Sequence, residues 1–79
     1  MPLELQQLRQ VIALAEHGSF VRAAAALHIS QPALSRRIAG LEDRLATAVV
    51  VRGPRQLTLT DAGQRYADVG RVRARVDGG

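Results

Sequence analysis

Residues 30–45 read SQPALSRRIAGLEDRL and follow GSFVRAAAALHI at 18–29. In the first of these stretches Leu34, Ile38, Leu41 and Leu45 recur at helical spacing. One stripe of a helix is therefore apolar, and an adjoining face carries Gln31, Ser35 and Arg36 away from the core. Ser30 has the chemistry of an N-cap, because a hydroxyl oxygen there accepts from the free N–H groups of the first turn, and Pro32 sits where no intrahelical N–H is needed. Ser19 is placed in the same way ahead of a short, Ala-rich helix through Phe20, Ala23, Ala24 and Leu27. The small side chains at 23–26 let another helix cross closely, and only His28 and Ile29 connect the two, a spacing that favours a helix-turn-helix. His28 occupies the neighbourhood where such turns often carry Gly, so a positive φ there would be only moderately tolerated.

Working outward, Leu5, Leu8, Val11, Ile12 and Ala15 mark one face of an amphipathic helix from Leu5 to Glu16, which His17 and Gly18 end. On the other side, Val49, Val50 and Val51 read as a strand, Gly53 and Pro54 as a turn, and Leu57, Thr58, Leu59 and Thr60 as a second, alternating strand. This is a hairpin, or wing. Thr60 can cap a final helix whose Ala62, Tyr66, Val69, Val72 and Val76 share a stripe at three- and four-residue spacing. That stripe has little left to pack against. Gly70 is expected to weaken the helix by roughly 1 kcal/mol relative to Ala, and Gly78 with Gly79 should leave its end frayed.

Composition narrows the function classes. The chain has 79 residues, enough for one domain but not for a large buried active-site cleft. Its 47% hydrophobic content comes from Ala, Leu and Val, with Phe20 and Tyr66 as the aromatics, which suits close-packed helices. There is no Cys, so neither a disulfide framework nor a thiolate metal site is available. His17 and His28 lack the paired spacing of a zinc site. No signal peptide or membrane-length apolar run is present, and the protein reads as soluble and cytoplasmic. The net charge of +4 is concentrated mid-chain, where residues 31–55 set five Arg against Glu42 and Asp43. A clustered basic surface is what a polyanion requires. All eleven basic residues are Arg, which fits a GC-rich genome better than selection for bidentate contacts.

The GSF followed by paired alanines, the SQPALSR run, the Leu41–Glu42 pair and LTDAG at 59–63 agree in order and spacing with the LysR-type transcription regulators, which this chain resembles over nearly its whole length. The resemblance implies a mainly α winged helix-turn-helix over 1–60 that binds duplex DNA to regulate transcription. A linker helix over 61–77 would pair two subunits into a homodimer through Ala62, Tyr66, Val69, Val72 and Val76. The family's recognition positions fall on Gln31, Pro32, Ser35 and Arg36, and its wing arginine on Arg52. Arg36 would read guanine through two parallel hydrogen bonds and Gln31 would pair adenine in the same way. Ser19 and Ser30, with the helix starts they cap, are suited to hold phosphates, and Arg52 and Arg55 flank the wing turn within reach of a minor groove or a phosphate. An operator in inverted repeat is expected by the same analogy. No cofactor is implied.

The sequence departs from the family pattern at Val11 and Val50, where Phe is common, and at Ala46, where Gly is common. The first two shrink the core, and the third either lengthens the third helix or strains its exit. The effector-binding domain that LysR-type regulators carry after the linker helix is absent from these 79 residues, as in an excised fragment or a truncated relative.

Blander readings stand beside these. An amphipathic helical face with a few Arg is usually just solvated. For Arg9, Arg37 and Arg44, pairing with a nearby acid is the better reading, and for Ser30 capping coexists with any phosphate contact. The final helix carries Arg65, Arg71, Arg73 and Arg75 but lacks the Trp, Phe and Leu of a membrane-surface helix. No nucleophile-elbow sequence occurs, so catalysis is not expected. The rival from another class is a truncated interaction module that heterodimerises with a full-length LysR-type regulator without reading DNA itself.

Overall fold

The computed structural model describes residues 3–77, with side chains described over 5–72. Helices α1 (Leu3–His17), α2 (Phe20–Leu27) and α3 (Gln31–Leu45) are followed by strands β1 (Val50–Arg52) and β2 (Leu57–Leu59) and by helix α4 (Asp61–Asp77). The mainly α winged helix-turn-helix is thus the observed architecture. The strands pair antiparallel with Val50 opposite Leu59 and Arg52 opposite Leu57, and the Gly53 N–H closes the turn on the Gln56 carbonyl at 3.1 Å.

The three helix ends before the wing each use one left-handed residue. Gly18 (φ 65°) donates to the Leu14 carbonyl at 2.8 Å. His28 takes φ 60°, and the N–H groups of His28 and Ile29 reach the carbonyls of Ala25 and Ala24, the paired bonds of a Schellman motif. Ala46 repeats the motif at φ 56°, with Ala46 and Thr47 donating to Asp43 and Glu42. Of the two outcomes expected for alanine at position 46, strain is therefore the one observed, and α3 is not lengthened. Because an L-residue in this region costs roughly 1–2 kcal/mol, Ala46→Gly is expected to stabilise the domain by about 1 kcal/mol. A thermal melt should show this as a rise of about 4–8 °C; an unchanged or lower midpoint would contradict it.

The core lies where α1, α2 and α3 meet. Val11, Leu14, Leu34, Leu41 and Val49 are fully buried, joined by Ala23 and Ala67 at 0% exposure. Val11, where a ring was expected to be missed, is sealed among them. Alanine at positions 23 and 24 is buried in α2, which is what a close helix crossing requires. The wing is bonded to this core at both ends, through Leu57 N–H to the Gly18 carbonyl (2.9 Å) and Thr60 N–H to the Val49 carbonyl (3.1 Å).

Two expectations are corrected here. Val49 lies outside β1: its N–H is taken by the Glu42 carboxylate, while its carbonyl accepts the last bond of the ladder from the Thr60 N–H. The final helix packs through a face other than that stripe: Gly63, Ala67 and Gly70 are buried, and a Cβ on Gly70 would stand 3.0 Å from the Leu8 side chain. Gly70 is where α4 closes on α1, rather than only a weak point in the helix. The stripe of Ala62, Tyr66, Val69 and Val72 lies on an adjoining face, with Val69 55% and Val72 61% exposed. The Val76 side chain and Gly78 with Gly79, on which the rest of the stripe and the fraying expectation fall, lie outside the described residues.

Candidate nucleic-acid interface

The site is assembled from two helix starts and the wing. Ser19 Oγ accepts from the Arg22 N–H at 3.3 Å and Ser30 Oγ from the Ala33 N–H at 3.2 Å, so both serines cap as the sequence indicates. Each hydroxyl keeps its own proton free to donate. The remaining N–H groups of the first turns lie at the positive ends of the helix dipoles, which favour an anion.

Ser19, Gln31, Arg52 and Arg55 line one open groove between the start of α2, the start of α3 and the wing, together with Val21 and Gln56. Gln31, Pro32 and Arg36 are exposed on α3, at spacings that keep them on one side of the helix. Ser35 differs from expectation. It is half-buried in a second depression that it shares with Phe20, Glu42, Val50 and Arg52, because the wing folds along that flank of α3. Arg36 has no hydrogen bond or ion pair among the described residues, so its guanidinium remains available. Arg9 and Arg37 have no acid partner among the described residues either, and Arg44 donates to the Gln7 amide oxygen rather than to a carboxylate. Acid pairing, the reading favoured for these three, is not found among the described residues.

The wing arginine is held by a contact that the sequence did not indicate. The Arg52 guanidinium lies 4.7 Å from the centroid of the Phe20 ring, a cation–π distance. Phe20 is itself packed into the core, so the ring fixes where the charge stands. Glu42 is a second such residue. Its carboxylate accepts from the N–H groups of Val49 (2.7 Å) and Val50 (3.4 Å), tying the last turns of α3 to the start of the wing. Thr60 completes the frame: its hydroxyl donates to the Ala48 carbonyl at 2.7 Å and accepts from the Gly63 N–H at 3.0 Å. The motif residues Glu42 and Thr60 were visible in the sequence, but Gln56 carries no motif signal.

Among the described residues no cluster of His, Cys, Asp or Glu could hold a metal ion, and no helix is long and apolar enough to cross a membrane.

A capped, exposed helix held across a shorter one and flanked by an anchored hairpin defines a winged helix-turn-helix regulatory module rather than an enzyme fold. The chain belongs to the lysR family of bacterial regulatory helix-turn-helix proteins, whose family model matches residues 5–64. It is 56% identical over 61 residues to the SDS degradation transcriptional activation protein of a Pseudomonas species, a match covering 77% of this chain and 20% of that protein. The CbnR DBD–DNA complex superposes with a TM-score of 0.84 at 35% identity, covering 94% of this chain and 85% of that one. The BenM DBD/benA site 1 DNA complex gives 0.83 at 36% identity over 94% and 84%. The chain spans only a fifth to a quarter of the length of the curated relatives it matches.

Proposed function

We propose that this chain binds double-stranded DNA with sequence preference to regulate transcription, with α3 in the major groove and the wing on the adjacent backbone or minor groove. One observation carries the reading: Gln31, Pro32 and Arg36, the last without a partner among the described residues, crown an exposed side of α3, beside a groove in which two wing arginines converge on two helix starts. Related chains in the CbnR and BenM complexes, which share this fold, are bound to DNA. Phosphate contacts from Ser19, Ser30, Arg52 and Arg55 supply affinity that salt weakens, while Gln31, Ser35 and Arg36 supply preference. Arg36→Ala is therefore expected to lose about 1–3 kcal/mol of discrimination at one base pair. Arg55→Ala should weaken all duplexes nearly equally and shallow the salt dependence. Titration of matched and single-substitution duplexes at several salt concentrations checks both, and equal weakening of every duplex by Arg36→Ala would remove it from the base-reading set.

The same reading divides the chain into a DNA-binding unit over 1–60 and a pairing helix over 61–77, in a cytoplasmic homodimer on an inverted repeat. Its support is the exposed stripe of Val69 and Val72 beside Ala62 and half-buried Tyr66. A double Val69→Asp, Val72→Asp variant should sediment as a monomer and melt at a midpoint that no longer depends on protein concentration. Unchanged sedimentation of a dimeric parent would exclude this face.

A further inference from the structure

On the flank of α3 away from the wing, a second groove runs between α1, the α2–α3 turn and α3, lined by Gln6, Arg9, Gln10, Leu27, Ile29 and Arg37. Arg9 and Arg37 are exposed, and among the described residues no acid lines the groove. Leu27 and Ile29 are only partly buried and give it an apolar floor. Gln10 is 4% exposed, and its Oε1 is sealed in without a partner among the described residues. Two guanidiniums with no acid partner among the described residues and an aliphatic floor together suit a ligand that is both anionic and apolar.

We propose that this groove docks an acidic segment of a partner protein, with carboxylates at Arg9 and Arg37 and an aliphatic side chain on Leu27 and Ile29. Duplex DNA fits it less well, since a phosphate backbone offers nothing to cover the apolar floor. Arg37 also lies about 100° around the helix from Arg36 and about 120° from Gln31, at 100° per residue, outside the arc that runs from Gln31 to Arg36. The docking therefore does not depend on the DNA reading, and both surfaces can be occupied together.

The probe is a fluorescein-labelled decapeptide alternating glutamate with leucine, titrated into the 79-residue chain with and without duplex DNA. Arg9→Ser with Arg37→Ser is expected to weaken peptide binding about tenfold or more, as loss of two charge-assisted contacts should, and to leave duplex affinity within about twofold. Backbone amide shifts in the parent should centre on Gln10, Leu27 and Ile29. A thermal melt of the double variant matching the parent separates lost docking from lost folding. The proposal is overturned if the parent does not bind the peptide, if replacing its leucines with serine leaves binding unchanged, or if the shifts centre on Arg36. It is equally overturned if the double variant loses duplex binding while keeping the peptide, which would make the groove a phosphate surface.

Discussion

Gly63→Ala is expected to destabilise the domain by about 3 kcal/mol, at the upper end of what overpacking a filled site costs. In a helix an alanine normally gains about 1 kcal/mol over glycine, so the sign itself is diagnostic. A Cβ built at position 63 stands 2.0 Å from the Val49 carbonyl oxygen, with the Val49 carbonyl carbon at 2.9 Å and Cα at 3.1 Å. These are backbone atoms, and they cannot rotate away as a side chain would. Nor can that backbone shift freely, because the Val49 N–H is bonded to Glu42 and its carbonyl to Thr60. Relief would have to come from lifting α4 off the wing, which would also loosen the bond between the Gly63 N–H and Thr60 Oγ1. The melting midpoint should fall by roughly 12–24 °C for a domain of this size. Gly40→Ala is the internal control: nothing lies within 4 Å of a Cβ there, so the same substitution should stabilise by roughly 0.5–1 kcal/mol. Equal effects at the two positions would contradict the packing of α4 against Val49.

The second large effect is expected at Glu42. Its half-buried carboxylate accepts two backbone N–H groups at the entry to the wing, and hydrogen bonds to a charged group are worth about 1.5–3 kcal/mol each. Glu42→Ala leaves the Val49 and Val50 N–H groups without that acceptor, and a loss of about 2–3 kcal/mol follows. The functional consequence should exceed the stability one. β1 carries Arg52, so a wing released from α3 no longer places that guanidinium against Phe20. Duplex affinity should fall for all sequences while the base preference set by α3 is retained. Glu42→Gln keeps an oxygen able to accept and should recover part of both. If urea unfolding of Glu42→Ala matches the parent, the carboxylate does not hold the wing.

What could be read from the sequence follows the range of each interaction. Caps are local chemistry, and Ser19 and Ser30 were legible because each bonds an N–H three residues on. The position of the turn at His28 was legible for the same reason, since three residues, 28–30, join the helices, but its left-handed φ was not. Ala46 was legible only as an alternative, because strain and helix extension have the same sequence signal; the paired bonds to Asp43 and Glu42 decide for strain. Contacts across the fold were not legible. Glu42 reaches residues seven and eight positions away only after the chain has turned back, and Arg52 finds the Phe20 ring across most of the domain. Gly70 looked like a flaw in a helix until Leu8 was seen against it. The half-burial of Ser35 likewise depends on neighbours that periodicity does not reveal, and α1 begins two residues before the apolar face read from the sequence. Within the base-reading set the consequence is specific. Gln31, Pro32 and Arg36 stand open on α3, whereas Ser35 lies half-buried in the depression between α3 and the wing.

The wing is fixed to the rest of the fold by Glu42, Thr60 and the Gly18 carbonyl, and on the proposed reading α3 presents the residues that discriminate while the wing presents charge. In this arrangement sequence preference belongs to the 79-residue chain itself. The most direct test is selection of binding sequences from a random duplex pool by that chain at moderate salt. Enrichment of a defined motif, in inverted repeat where α4 pairs two copies, is the expected result. A folded sample that retains duplexes without enriching any sequence would contradict the claim that α3 reads DNA.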